Sequence, residues 1–370
     1  MRVLLTTDTV GGVWTFTQEL AVHLLGDGHA VALVSFGRTP SESQCTWAAE
    51  QRTRFGGSFH FTPSTLPLEW MQNNGSVFAD GADLLLRLAH DFRADILHSN
   101  QFCWGALPLD IPKLITAHSD VMSWADAVKP SALEPSTWLS RYRSLVQQGL
   151  DQADAVIAPT SWMRSALRAN FSVRVPFAVI YNGRSAPKPD AAVERTLRAI
   201  TVGRLWDEAK GLATILDLNS PMPIVLAGEE RFEDSVATRA SCNLRALGVL
   251  DQQEVIDTML GSSVYIAASI YEPFGLAPLE AAMCGCAIIA RDLPSFREVW
   301  GDAAVYFQTA EQLERALTEF AYDPYKLRAS QRAARERAAR YTAEAMTAAY
   351  VERYAGLVAS REREHTQHAA

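Results

Sequence analysis

Seven residues separate Glu272 from Glu280, and they read Pro-Phe-Gly-Leu-Ala-Pro-Leu, with Gly275 and Pro278 among them. An apolar run ends at Ser269, and Pro278 fits a helix only in its first turn. Glu272 is therefore expected in a loop at the carboxyl end of a strand, and Glu280 in the first turns of the following helix. The N–H groups of Phe274, Gly275 and Leu276 would open that helix and face an anion. Gly275 permits close approach because it carries no Cβ. A second motif, Val202-Gly203-Arg204-Leu205 continuing to Lys210-Gly211, follows another apolar run. Two cations in such a loop could stabilise the charge that grows on a departing diphosphate. The third motif runs from Asp8 through Gly11, Gly12 and Trp14 after the first apolar run of the chain. Its spacing is not Gly-x-Gly-x-x-Gly, and the next run ends Val34-Ser-Phe-Gly37 without an acid for an adenosine ribose. Both facts disfavour a dinucleotide cofactor. His118 ends a further run at the same kind of edge. The two glutamates could instead serve as the acid and nucleophile of a glycoside hydrolase, but the cations and the anion-facing helix start would then have no purpose.

Together these segments resemble the signature of retaining glycosyltransferases of the GT-B fold, family 4, and the resemblance extends over nearly the whole chain. It implies an α/β protein of two Rossmann-like domains facing across a cleft, with a C-terminal helix crossing back to the N-terminal domain. The implied reaction moves a sugar from a nucleoside-diphosphate sugar to a hydroxyl of a glycan, a lipid-linked acceptor or a small molecule, with retention of configuration. By the same resemblance Glu280 holds the ribose hydroxyls and Glu272 the hydroxyls of the donor sugar. Gly203 and the backbone of Phe274, Gly275 and Leu276 meet the sugar and diphosphate, while Arg204 and Lys210 stabilise the leaving group. Gly11 and Gly12 face the diphosphate and the acceptor, His118 lies beside the donor sugar, and Trp14 stands on the acceptor side. Lys210 is one residue further from Arg204 than in the commoner pattern. The Asp usual after Asn182-Gly183 is also missing, because Arg184-Ser185-Ala186 follow, so Asn182 and Gly183 are read as a hinge. No residue stands out as a covalent nucleophile, which favours departure and attack on one face. A sugar-nucleotide epimerase of the same fold and a catalytically silent sugar-nucleotide-binding subunit are the competing readings.

The elements that must position these residues are short apolar runs alternating with helical periodicity, the pattern of parallel sheet with crossover helices. The first series has strands at Arg2 to Thr7, Val31 to Phe36, Asp95 to His98, Leu114 to His118, Ala155 to Ala158 and Ala178 to Tyr181. Its helices are expected at Trp14 to Leu25, Ala82 to Phe92, Ser131 to Leu150 and Ser161 to Asn170. A polar, Pro-containing stretch, Arg184 to Glu194, reads as a linker. The second series has strands at Ala199 to Val202, Ile224 to Ala227, Val264 to Ala268, Ala287 to Ala290 and Ala304 to Phe307. Helices then fill Ala310 to Val358, broken near Asp323-Pro324 and Tyr341-Thr342, before a polar tail expected to fray from Ser360. This gives an N-terminal domain over residues 1–185, a nucleotide-sugar domain over 186–345 and a returning helix with tail over 346–370.

A 370-residue chain with 48% hydrophobic and 21% charged residues can bury two sizeable cores. Its net charge of −8 argues against a general nucleic-acid binder. No Asp-x-Asp occurs and no His/Cys cluster has ligand spacing, so neither cofactor nor metal is expected and the co-substrate is the nucleotide sugar itself. The cysteines Cys45, Cys103, Cys242, Cys284 and Cys286 form an odd set, which fits reduced, mostly buried thiols. The run Val3 to Leu5 is too short for a signal-peptide core or membrane span. A cytoplasmic location follows, with peripheral membrane contact if the acceptor is a lipid. Seven of the nine tryptophans precede the linker and are expected mostly in the core.

Overall fold

The computed structural model describes residues 1–187, 193–216, 218–229, 231–232, 235–236 and 243–368. The chain divides into two compact units, Met1–Gly183 with Ala343–Ala370, and Arg184–Thr342.

In the first unit the order is β1 (Arg2–Asp8), α1 (Gly12–Gly26), β2 (Ala30–Phe36), α2 (Glu42–Phe55), β3 (Phe59–Thr62), α3 (Val77–Phe92), β4 (Ile96–Ser99), β5 (Lys113–Thr116), α4 (Val121–Val128), α5 (Thr137–Gln152), β6 (Ala155–Ala158), α6 (Ser161–Asn170) and β7 (Phe177–Val179). The seven strands form one parallel sheet in the order β3-β2-β1-β4-β5-β6-β7. Val3 to Leu5, Val31 to Val34 and Ala155 to Ala158 are buried, as strands covered by helices on both faces require.

The second unit contains β8 (Thr196–Val202), α7 (Ala213–Leu216), β9 (Ile224–Ala227), a small antiparallel pair β10 (Arg231–Phe232) and β11 (Ser235–Val236), β12 (Leu244–Gly248), α8 (Gln252–Leu260), β13 (Ser262–Ala267), α9 (Leu276–Met283), β14 (Ala287–Arg291), α10 (Pro294–Trp300), β15 (Ala304–Phe307), α11 (Ala310–Tyr322) and α12 (Pro324–Ala338). Its parallel sheet runs β12-β9-β8-β13-β14-β15. Chain order reverses between β1 and β4 in the first sheet and between β8 and β13 in the second, and open α/β sheets bind ligands outside the strand ends at such a switch point.

The last helix, α13 (Ala343–His368), packs in the first unit. Tyr350 and Tyr354 are fully buried. The Tyr354 hydroxyl lies 2.5 Å from His98 Nδ1, the Thr116 hydroxyl is 2.7 Å from His98 Nε2, and the Tyr350 hydroxyl is 3.0 Å from the Thr116 Oγ1. Burial pushes the His98 imidazole down to about 3, so it is neutral in this network.

The structure departs from the sequence expectations at identifiable places. The helix expected from Ser131 begins only at Thr137, because Pro135 holds Glu134 extended and Ser136 caps the new start through Leu139 N–H. The strands β3 and β12 and the helices α2, α4 and α8 were not among the expected elements. Capping boxes at Ser41 and Asp251 nevertheless start α2 and α8. The tail does not fray at Ser360, since α13 continues to His368 and is tied down by Arg361 to Asp154 (2.9 Å) and His365 to Asp110 (3.0 Å). Arg184 is no linker residue: its side chain is 8% exposed and its N–H donates to Tyr341 O at 3.1 Å. Residues 188–192 of the expected linker, and Cys242, lie outside the described residues. Of the other cysteines Cys45 is exposed and Cys103, Cys284 and Cys286 are buried. Burial pushes the Cys284 and Cys286 thiols up to about 12, which makes them poor nucleophiles and metal ligands.

Candidate functional site

In the second unit the two motifs occupy the loops that leave the switch-point strands β8 and β13. Gly203 follows β8, and its carbonyl oxygen lies against Gly228, where an added Cβ would approach it to 1.8 Å. Asp207 then performs two tasks. Its Oδ1 accepts the Ala209 N–H at 3.0 Å, opening the 3₁₀ turn Glu208–Lys210, and its Oδ2 accepts from Arg204 at 2.7 Å. Gly211 closes the turn at φ 64° and packs on the Ala268 carbonyl, leaving no room for a side chain. The Ile270 N–H donates to Ala209 O at 2.8 Å, joining the loop after β8 to the loop after β13.

This stitching brings Lys210 Nζ to 2.7 Å from Glu272 Oε2, with side chains 28% and 19% exposed. Ser269 Oγ donates to the same oxygen at 3.4 Å, and Ser295 Oγ donates to the Glu272 carbonyl at 2.6 Å. The extra residue between Arg204 and Lys210 is thus accommodated, and the lysine reaches the loop glutamate. Thr201, Gly203, Lys210, Ser269 and Glu272 line one shallow pocket.

Gly275 is the N-cap of α9 with φ 92°, a conformation that strains any side-chain-bearing residue, and Pro278 and Phe296 fill the space a Cβ would need. Phe274 is buried edge-on against Tyr341 at 5.7 Å, so its ring offers little surface to a ligand. Leu276 is the first helical residue, and α9 offers the N–H groups of its first turn to an anion. Glu280 lies one turn further on, 21% exposed, with its Oε1 2.8 Å from Arg184 Nε. Sequence reasoning missed Arg184, Asp207 and Ser295. Asp207 carried a weak signal, an acid three residues after Arg204.

In the first unit the loop after β1 is built by Asp8, whose Oδ1 accepts the Val10 N–H at 2.8 Å, and by Thr9, whose hydroxyl donates to Arg38 O at 2.9 Å. Gly11 caps α1 at φ 75° and Gly12 is the helix's first residue. Trp14 is 6% exposed and packs edge-on against Trp47 at 5.6 Å and Phe61 at 6.1 Å. The ring, expected on the acceptor side, therefore presents little exposed surface. His118 follows β5 and packs edge-on against Phe16 at 4.6 Å. Its Nε2 is 2.8 Å from Asn100 Oδ1, and Asn100 Nδ2 donates to Thr6 O at 2.7 Å. The amide is thereby oriented with its oxygen toward the imidazole, so Nε2 carries the proton and Nδ1 is the acceptor. Burial pushes His118 down to about 3, which keeps it neutral. Asn100, which sequence reasoning missed, sits after β4 at the switch point. Asn182 and Gly183 are the last residues of the first unit's N-terminal part.

Among the described residues no group of three or more His, Cys, Asp or Glu is placed to hold a metal ion, and no helix is long and apolar enough to cross a membrane.

Two doubly wound parallel units with glycine motifs at both switch points define a GT-B architecture. Residues 10–185 match the model of Glycosyltransferase Family 4, and residues 188–339 match that of Glycosyl transferases group 1. The chain belongs to the family 4 glycosyltransferases of GT-B fold and is a glycosyltransferase. It is 26% identical over 293 residues to an alpha-maltose-1-phosphate synthase of Mycolicibacterium smegmatis, covering 66% of this chain and 74% of that one. A phosphatidyl-myo-inositol mannosyltransferase of Mycobacterium tuberculosis is 29% identical over 155 residues, 39% of this chain and 41% of that one. Among solved structures, a sucrose-phosphate synthase from Thermosynechococcus elongatus superposes with a TM-score of 0.78 at 17% identity, covering 97% of this chain and 100% of that one. Anabaena HepE in complex with UDP and glucose gives 0.73 at 15% identity, covering 96% and 99%.

Proposed function

We propose that this chain is a retaining, metal-independent hexosyltransferase that moves a sugar from a nucleoside diphosphate to an acceptor hydroxyl. One observation carries the reading: at the switch point of the second sheet, Arg204, Lys210, Glu272, the α9 start and Glu280 converge from two strand-end loops. That set offers cations and N–H donors for a diphosphate, a carboxylate for a ribose, and a second carboxylate for a sugar. A leaving group with growing charge is stabilised by such fixed donors without a metal. With no carboxylate assigned as nucleophile, departure and attack share one face and the anomeric configuration is kept.

The relatives' names guide the choice of substrates. UDP accompanies glucose in the HepE complex, so UDP-hexoses come first, with ADP- and GDP-hexoses beside them. Maltose-1-phosphate, sucrose-phosphate and phosphatidyl-myo-inositol appear in the names of the others, so phosphorylated sugars and an inositol phospholipid are the first acceptors. The full chain is incubated with each donor, with and without acceptor and with EDTA, and products are read by mass spectrometry and by the anomeric coupling in NMR. Acceptor glycosylation with the donor's configuration, unchanged by EDTA, is the expected result. An inverted product would refute retention, and loss in EDTA restored by Mg²⁺ would refute metal independence. Isomerised nucleotide sugar formed without acceptor would establish an epimerase instead, and donor binding without turnover a silent subunit.

A further inference from the structure

We infer that Arg184 is a positioning residue that orients the Glu280 carboxylate for the donor's ribose, an inference that rests on the reading of Glu280 as the ribose ligand. A guanidinium only 8% exposed requires a counter-charge, and Arg184 Nε finds it 2.8 Å away in Glu280 Oε1. Glu280 keeps 21% of its side chain exposed, so the paired carboxylate still presents surface to a ligand.

Both ends of this pair are fixed. The Arg184 N–H donates to Tyr341 O at 3.1 Å, and Arg184 forms a parallel bridge with Thr342. Tyr341 is itself anchored, its hydroxyl donating to Val299 O at 2.9 Å and its ring packed edge-on against Phe274. Arg184 is thus mounted on the framework that supports the loop before α9, and Glu280 is mounted on α9. What Arg184 removes is the rotational freedom of the glutamate side chain. A ribose donates two hydroxyl protons, and only an ionised carboxylate held in one plane accepts both. The arginine supplies both conditions, charge and orientation, and acts on the nucleotide through Glu280.

The test is calorimetric titration of the full chain with UDP, ADP and GDP and with their 2′-deoxy counterparts. The parent is expected to prefer the best-binding ribonucleotide over its deoxy form by about tenfold, the loss of one charge-assisted hydrogen bond. Arg184→Leu should weaken the ribonucleotide about tenfold and leave the deoxynucleotide within about twofold, so that the preference collapses. Arg184→Lys should restore much of it. In Glu280→Gln the preference is lost, and adding Arg184→Leu should cost nothing further. Arg184→Gln carries the same expectations if leucine prevents folding. The inference is overturned if Arg184→Leu or Arg184→Gln keeps the preference, or weakens both nucleotides equally. If Glu280→Gln itself keeps the preference, it is the ribose reading of Glu280 that fails.

Discussion

Glu272→Gln should strengthen the binding of a bare nucleoside diphosphate while it depresses transfer, an unusual sign that follows from the Lys210 pair. Any diphosphate that recruits Lys210 must compete with Glu272, whose Oε2 is 2.7 Å away. The direct Coulomb term at that distance is about 6 kcal/mol for an effective dielectric near 20. Side chains 28% and 19% exposed keep much of their hydration, so desolvation and screening offset most of it. A net contribution of about 1 kcal/mol remains, and releasing it corresponds to about fivefold in affinity. Glutamine keeps the shape and removes the charge. Calorimetry with the nucleoside diphosphate should show the gain, shrinking as salt rises from 50 to 500 mM. Steady-state transfer with the intact donor should fall at least about tenfold, because a neutral amide accepts more weakly from sugar hydroxyls. Weaker diphosphate binding in the variant, or unchanged binding with full transfer, would refute the argument that the pair holds Lys210 in reserve.

Arg204→Ala should lower kcat by about a hundredfold with a smaller effect on donor KM, since leaving-group charge peaks in the transition state; a raised KM alone would make Arg204 a uniform binding residue. Gly228→Ala should destabilise the second unit by about 3 kcal/mol in urea unfolding, because its Cβ would meet the Gly203 carbonyl at 1.8 Å. An unchanged midpoint would show that the Gly203 loop is looser than the packing implies. Stability should also fall on acidification. His98 and His118 have folded values near 3 against 6.5, so the unfolded chain binds more protons below about pH 6.5 and stability is lost as pH drops. Glu69, buried and pushed up to about 6, opposes this by taking a proton in the folded state. The net loss from pH 7 to pH 5 is about 2 to 3 kcal/mol, and a Tm that does not fall over this range would contradict the buried neutral histidines.

Local chemistry made much of this protein legible. A buried parallel strand is a short apolar run, so Ala155–Ala158 and Ile224–Ala227 could be read with their ends in place. Edge strands such as β3 and β12 bury less and leave a fainter trace. The glycines and charged residues of the donor motifs were readable because they stand in loops directly after such runs, where hydrophobicity stops abruptly.

What the sequence by itself determined, then, was the succession of elements and the identity of the residues at the strand ends. Strand order is non-local, and only the tertiary structure decided that β8 lies beside β13, which places Lys210 on Glu272. The same holds for Arg184, a charged residue in a polar stretch whose burial against Glu280 depends on the return of Tyr341 and Thr342. Trp14 shows the converse. A tryptophan beside two glycines invites a role at the surface, yet Trp47 and Phe61, distant in sequence, enclose it. Burial is a property of the neighbours that folding supplies, and residue type with local spacing does not encode who those neighbours are.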